Sequence, residues 1–215
     1  MIDTASSSLE ERVYQALEEE ILSGRLQRGE QLREIAIAER LKVSRTPVRG
    51  ALHRLAEDGL VTLSANKGAT VVGITDADIE DIYAIRMRLE GLAAKLAAER
   101  MSEAEREELR SCYELSEFYM AKKNDARCGE LDSEFHSIIF KASGSRHLCK
   151  ILSDLHKNIK AYRRLSLSVP ERAEKSIMEH RDILEAILSG NADEAERKSS
   201  LHIRNALLNF KGLKP

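Results

Sequence analysis

The hydrophobic period of this chain departs from helical spacing in one stretch only, and that stretch constrains the fold more than any other feature. Residues 60–63 (LVTL) and 69–74 (ATVVGI) are short β-branched runs around the turn SANKG, which predicts a β-hairpin. Everything else that is periodic repeats at helical spacing. Leu9, Val13, Leu17 and Ile21 recur every four residues behind a Ser8-x-x-Glu11 capping box, and Gly24 is a stop. RLQRGEQL reads as a turn, residues 34–41 as a short helix, and KVS as a tight link. Thr46-Pro47 opens a further helix whose buried face is Val48, Ala51, Leu52 and Leu55, and Gly59 ends it. Two short helices, a tight turn between them and a following hairpin predict a winged helix-turn-helix over residues 1–74.

From Asp76 onward the pattern is helical throughout. Helices are expected at 76–100, from Ser102 to about Lys123, from Asn124 to about Ser143, over 146–166, over 171–189, and from Gly190-Asn191 to about Phe210. The fold class is therefore mainly α: three helices plus a β-hairpin, then an all-helical bundle domain over residues 75–215. Aromatic residues make up only 4 % and Trp is absent, a composition that favours helices. Three widely spaced cysteines without a C-x-x-C exclude a disulfide framework and fit a reducing compartment. The first residues lack a basic-then-apolar leader, and no apolar run approaches the ~18 residues that span a membrane, so a cytoplasmic protein is expected.

The formal net charge is −2, so the chain as a whole is no polyanion binder. The distribution says more. Between Arg40 and Arg54 stand five basic residues and no Asp or Glu, which predicts a local face for phosphate with its charge uncompensated. Arg45 and Arg49 are four apart on one helix face, and arginine can bridge the O6 and N7 of guanine in the major groove. Ser44 and Thr46 stand at the helix start, where hydroxyls and amides hold phosphate. Arg33, at the entrance to the 34–41 helix, joins this set. Lys67 and Gly68 form the wing tip, the lysine adding charge and the glycine allowing close backbone approach.

In the second half, Asp132 and His136 are four apart in DSEFH, on one helix face. Five of the six histidines lie in this half. His180 and His202 each sit beside an apolar stripe that aims them inward. Such histidines are commonly hydrogen-bonded core residues, yet one carboxylate and three imidazoles from three helices also make a metal site, and spacing alone leaves both readings open. Arg86 can pair with Glu90 along its helix. Tyr83 and Arg163 are further pocket candidates. His147 and His156 read as surface or packing residues, and Arg88 as solvent-facing.

The run LKVSRTPVRGALHRLAEDGLV, followed by NKGATV, resembles the DNA-binding domain of GntR-family bacterial transcription regulators. The resemblance implies operator binding as a dimer, with Arg45, Thr46 and Arg49 as principal contacts and Gly68 in the wing. Gly50 departs from the family pattern, which usually has Glu there. A helix-interior glycine costs about 1 kcal/mol relative to alanine, and Arg49 loses an acidic neighbour. The second half is similar to the all-helical ligand-binding (FCD-type) domain of the FadR subgroup. That similarity implies a divalent metal ion (zinc, nickel or manganese) on Asp132, His136, His180 and His202, with Arg86 facing a small carboxylate effector. The function expected is a ligand-responsive transcription regulator, with a metal sensor in which the ion itself is the signal as the alternative. A metalloenzyme is disfavoured because no second acid/base cluster is evident and Glu134 lies on another helix face.

Overall fold

The computed structural model describes residues 9–64, 68–73, 75–159 and 170–212. Two compact units meet between Thr75 and Asp76. In the first, α1 (Leu9–Leu22), α2 (Glu34–Leu41) and α3 (Arg45–Glu57) precede β2 (Val61–Ser64) and β3 (Gly68–Val71). The apolar faces read from the sequence are the buried ones: Val13, Leu17 and Ile21 of α1 close on Val48, Ala51, Leu52 and Leu55 of α3. Lys42 turns α2 off in the left-handed conformation (φ 54°), which sets the tight link to α3.

The hairpin has a third strand that the sequence did not suggest. β1 (Gln31–Leu32), within the stretch read as a turn, pairs antiparallel with β3 in the order β1-β3-β2. Two residues are too short to carry a period, so pairing partners decide this strand. Gly68 (φ 87°) makes it possible, because a Cβ at Gly68 would lie 2.0 Å from the Leu32 carbonyl oxygen.

The second unit is a bundle of α4 (Asp76–Arg100), α5 (Glu103–Ala121), α6 (Asp125–Ala142), α7 (Arg146–Asn158), α8 (Pro170–Leu188) and α9 (Ala192–Gly212). Caps set the starts. Ser102 and Glu105 form a reciprocal capping box, Asn124 caps α6 and Ser145 caps α7. α7 ends at Asn158 with Ile159 as its C-cap, and residues 160–166 of the 146–166 expectation lie outside the described residues, as do Ser8, Lys67 and Arg163. α9 rests closely on α4 at Gly91, where a Cβ would stand 2.3 Å from Ser200 Oγ, and the Ser200 hydroxyl donates to the Met87 carbonyl (2.9 Å). Beneath, Ala93, Ala94 and Ala97 of α4 join Leu131, Phe135, Ile183 and Ile187 in the core.

Candidate nucleic-acid interface and metal centre

In the first unit, Arg45, Thr46 and Arg49 are exposed along the first turns of α3, and Ser44 before them is exposed, with no side-chain capping bond occupying its hydroxyl. Arg33, Arg45, Arg49 and Gly68 line one open groove of about 1240 Å³. His53 lines it too, one turn beyond Arg49 on the same face. Its i+4 spacing from Arg49 was the signal that could have found it.

The expectation of uncompensated charge needs correction. Glu34 accepts from Arg45 Nη2 at 2.9 Å and from Arg49 Nη2 at 3.1 Å. Arg54 Nη1 donates to Glu11 at 2.7 Å and Arg40 Nη2 to Glu20 at 2.8 Å. The hydrogen bonds from Arg49 and Arg45 hold the Glu34 carboxyl below the usual carboxylate range. A charge run is local in sequence, whereas these partners arrive from α1 and α2. Position 50 is likewise covered: a Cβ on Gly50 would lie 2.1 Å from Glu10 Oε2, so α1 supplies an acidic group where the family's glutamate side chain would be.

In the second unit, Asp132, His136, His180 and His202 are all buried and come from α6, α8 and α9. The histidine rings lie close together, with His136 5.1 Å from His180 and 5.2 Å from His202, centroid to centroid. Each of the three offers a ligand nitrogen within 4.8 Å of the others. Three imidazole nitrogens this close together would suit a single divalent ion. Asp132 Oδ1 stands 3.6 Å from His180 Nε2. That is too long for a hydrogen bond, and the group of mutually close ligand atoms comprises the three histidines without Asp132. Phe135 stacks on His180 at 4.3 Å, the two planes nearly parallel.

Carboxylates behind the rings orient them. His202 Nδ1 lies 2.7 Å from Glu179 Oε2, and His136 Nδ1 lies 2.9 Å from Glu90 Oε2, the latter off the line of a good hydrogen bond. A carboxylate on one ring nitrogen leaves the other to a metal. Burial lowers His202 from its ordinary value, against the raising effect of Glu179, and so keeps the ring in the neutral form that a ligand requires. Burial works against ionisation of Glu179, but His202 and Arg172 outweigh it and bring its pKa to about 2. Glu90 is fully buried, yet Arg86, His156 and His136 together hold it well below the usual range.

Arg86 makes the along-helix pair: its Nε donates to Glu90 at 2.6 Å, and its guanidinium is buried against the Tyr83 ring, Cζ 4.9 Å from the centroid. His156, read as surface or packing, is buried, 3.0 Å from Arg86 Nη2 and 2.8 Å from Glu90 Oε1. His147, Arg88 and Glu134 are exposed. The sequence reading found no second carboxylate cluster near the ligands. Glu90 and Glu179 overturn that, but both are ionised and tied to arginines, which makes them poor general bases.

Residues 9–71 match the model for "Bacterial regulatory proteins, gntR family", and residues 81–205 match that for the FCD domain. The HTH-type transcriptional regulator YdhC of Bacillus subtilis (strain 168) is 32 % identical over 196 residues, 89 % of this chain and 86 % of that protein. The HTH-type transcriptional repressor RspR of Escherichia coli (strain K12) is 27 % identical over 198 residues, 90 % of this chain and 85 % of that protein. Among solved structures, E. coli McbR/YncC superposes with a TM-score of 0.76 at 22 % identity, over 97 % of this chain and 100 % of that one, a likeness of fold. No helix among the described residues is long and apolar enough to cross a membrane. With a DNA-reading half and a ligand-domain half each matched by its own model, the chain belongs to the gntR family of bacterial regulatory proteins and is a transcriptional regulator rather than an enzyme.

Proposed function

We propose that this regulator is a dimeric, cytoplasmic repressor whose hold on operator DNA is set by a small carboxylate bound at a metal in its helical domain. The observation that carries the reading is the convergence of His136, His180 and His202, two of them with Nδ1 against a carboxylate. Asp132 and the three histidines would hold a divalent ion (zinc, nickel or manganese), which supplies a positively charged docking point for a carboxylate oxygen. Arg86 takes the second oxygen of that carboxylate: its Nη1 is buried and has no hydrogen-bond partner. Tyr83 shapes the wall behind it, and Arg163 belongs to the same candidate set.

On the DNA side, Arg45 and Arg49 read base edges, with Thr46, Ser44, Arg33, Lys67 and Gly68 on phosphates and the wing. The sign of regulation follows the relatives: RspR is named a repressor, as is the probable D-xylose utilization operon repressor of Paenarthrobacter nicotinovorans, 30 % identical over 188 residues, 86 % of this chain and 80 % of that protein. Two-fold related half-sites call for a dimer.

Fluorescence anisotropy on the promoter fragment nearest the gene tests the reading, with protein stripped of metal, reloaded with zinc, and reloaded with zinc plus a panel of small carboxylates. The expected result is salt-sensitive, sequence-preferring binding that a carboxylate changes only in the zinc-loaded protein. Operator affinity that follows zinc and ignores every acid would instead make the ion itself the signal. Binding insensitive to both would sink the proposal.

A further inference from the structure

Two of the inward-facing histidines are braced in the same way. His136 sits against Glu90, which takes Arg86 Nε at 2.6 Å, and His202 sits against Glu179, which takes Arg172 Nη2 at 2.8 Å. The two rings are 5.2 Å apart, so two buried guanidiniums, each one carboxylate removed from a ring, serve one histidine cluster. Neither guanidinium is fully used. Arg86 Nη1 and Arg172 Nε are both buried without a hydrogen-bond partner. Ser176 Oγ is buried without one as well, four residues from both Arg172 and His180 on the same face of α8. Buried donors left unmet by the protein are met by something else, or they cost stability for nothing.

The two orphaned N–H groups differ in what they can reach. A single carboxylate on Arg86 leaves Arg172 Nε unsatisfied, because Arg172 is tied through Glu179 to a different ring. Resting on the effector reading above, we propose that the effector is a small acid with two anionic groups. One is shared between the metal site and Arg86, and the other is received by Arg172 Nε. The Ser176 hydroxyl bonds a polar substituent of the same molecule. Charge-assisted bonds at both ends make the second anion a selectivity device rather than a spectator.

Calorimetric titration of the full-length, zinc-loaded chain with succinate and with butyrate, acids of equal length, tests this. Succinate is expected to bind at least about tenfold tighter than butyrate. Arg172→Gln should bring the succinate-to-butyrate affinity ratio towards unity, whatever it takes from both acids through the Glu179–His202 brace, and Arg172→Lys should restore part of that ratio. Arg86→Gln should weaken both acids. Zinc content of each variant is measured alongside, so a collapsed His202 is recognised as such. Equal affinity for the two acids, or an Arg172→Gln effect that falls on both alike, overturns the two-anion assignment and leaves a monocarboxylate effector standing. No binding of either acid overturns this proposal together with the effector reading.

Discussion

Replacing Glu90 with glutamine removes one charge and almost no volume. The carboxylate is fully buried and touches Arg86 Nε at 2.6 Å, His156 Nε2 at 2.8 Å and His136 Nδ1 at 2.9 Å. The amide keeps the packing but leaves the Arg86 guanidinium, 1 % exposed, without a counter-charge. Breaking one side of a buried pair costs about 3–5 kcal/mol, which in a unit of this size lowers Tm by roughly 10–15 °C. The double variant Glu90→Gln/Arg86→Met removes both charges and should recover much of the loss, because an apolar replacement of the whole pair leaves nothing unpaired. Scanning calorimetry of metal-free protein at pH 7 reads both numbers. The sign with pH is fixed: a carboxyl depressed in the folded state stabilises fully above its ordinary value near 4.5 and loses that contribution as acid titrates the folded group. The gap between native and Glu90→Gln should therefore be present at neutral pH and close as pH falls below about 4.5. A Glu90→Gln protein melting within about 2 °C of native, with a double variant no better than the single, would refute the reasoning.

Three further outcomes are expected. Gly68→Ala pushes a Cβ to 2.0 Å from the Leu32 carbonyl oxygen in a left-handed backbone, so it should cost the first unit more than the ~1–3 kcal/mol of backbone strain alone and detach β1, read by amide exchange at Leu32. Ser102→Ala loses the capping box of α5 and should destabilise the second unit by about 1 kcal/mol in urea titration. Cys112, whose thiol is pushed up to about 12 by burial and then by Glu134, should alkylate far more slowly at pH 8 than Cys149, as tryptic mass mapping would reveal.

Local spacing carried the helices and part of the site. Asp132 and His136 were legible because four residues are one turn, and His180 and His202 because an apolar stripe beside a histidine points it inward. Glu90 was legible only as the helical neighbour of Arg86. Its contacts with His136 and His156, like those of Glu179 with His202 and Arg172, depend on how α4, α6, α7, α8 and α9 pack, and no window of sequence holds that information. Glu34 shows the same limit in the first unit. The basic run from Arg40 to Arg54 is real, but its neutralising carboxylates lie before it in the chain. β1 escaped because its two residues take their conformation from β3.

At Gly91 one helix lies on another with the small Ser200 side chain between them, its hydroxyl donating to the Met87 carbonyl. A contact this close leaves little room to yield by a change of rotamer. The pair α4 and α9 is therefore a stiff strut carrying Arg86 and Glu90 on one member and His202 on the other. A ligand that pulled on His136 and His180 would have to displace α6 and α8 against that strut.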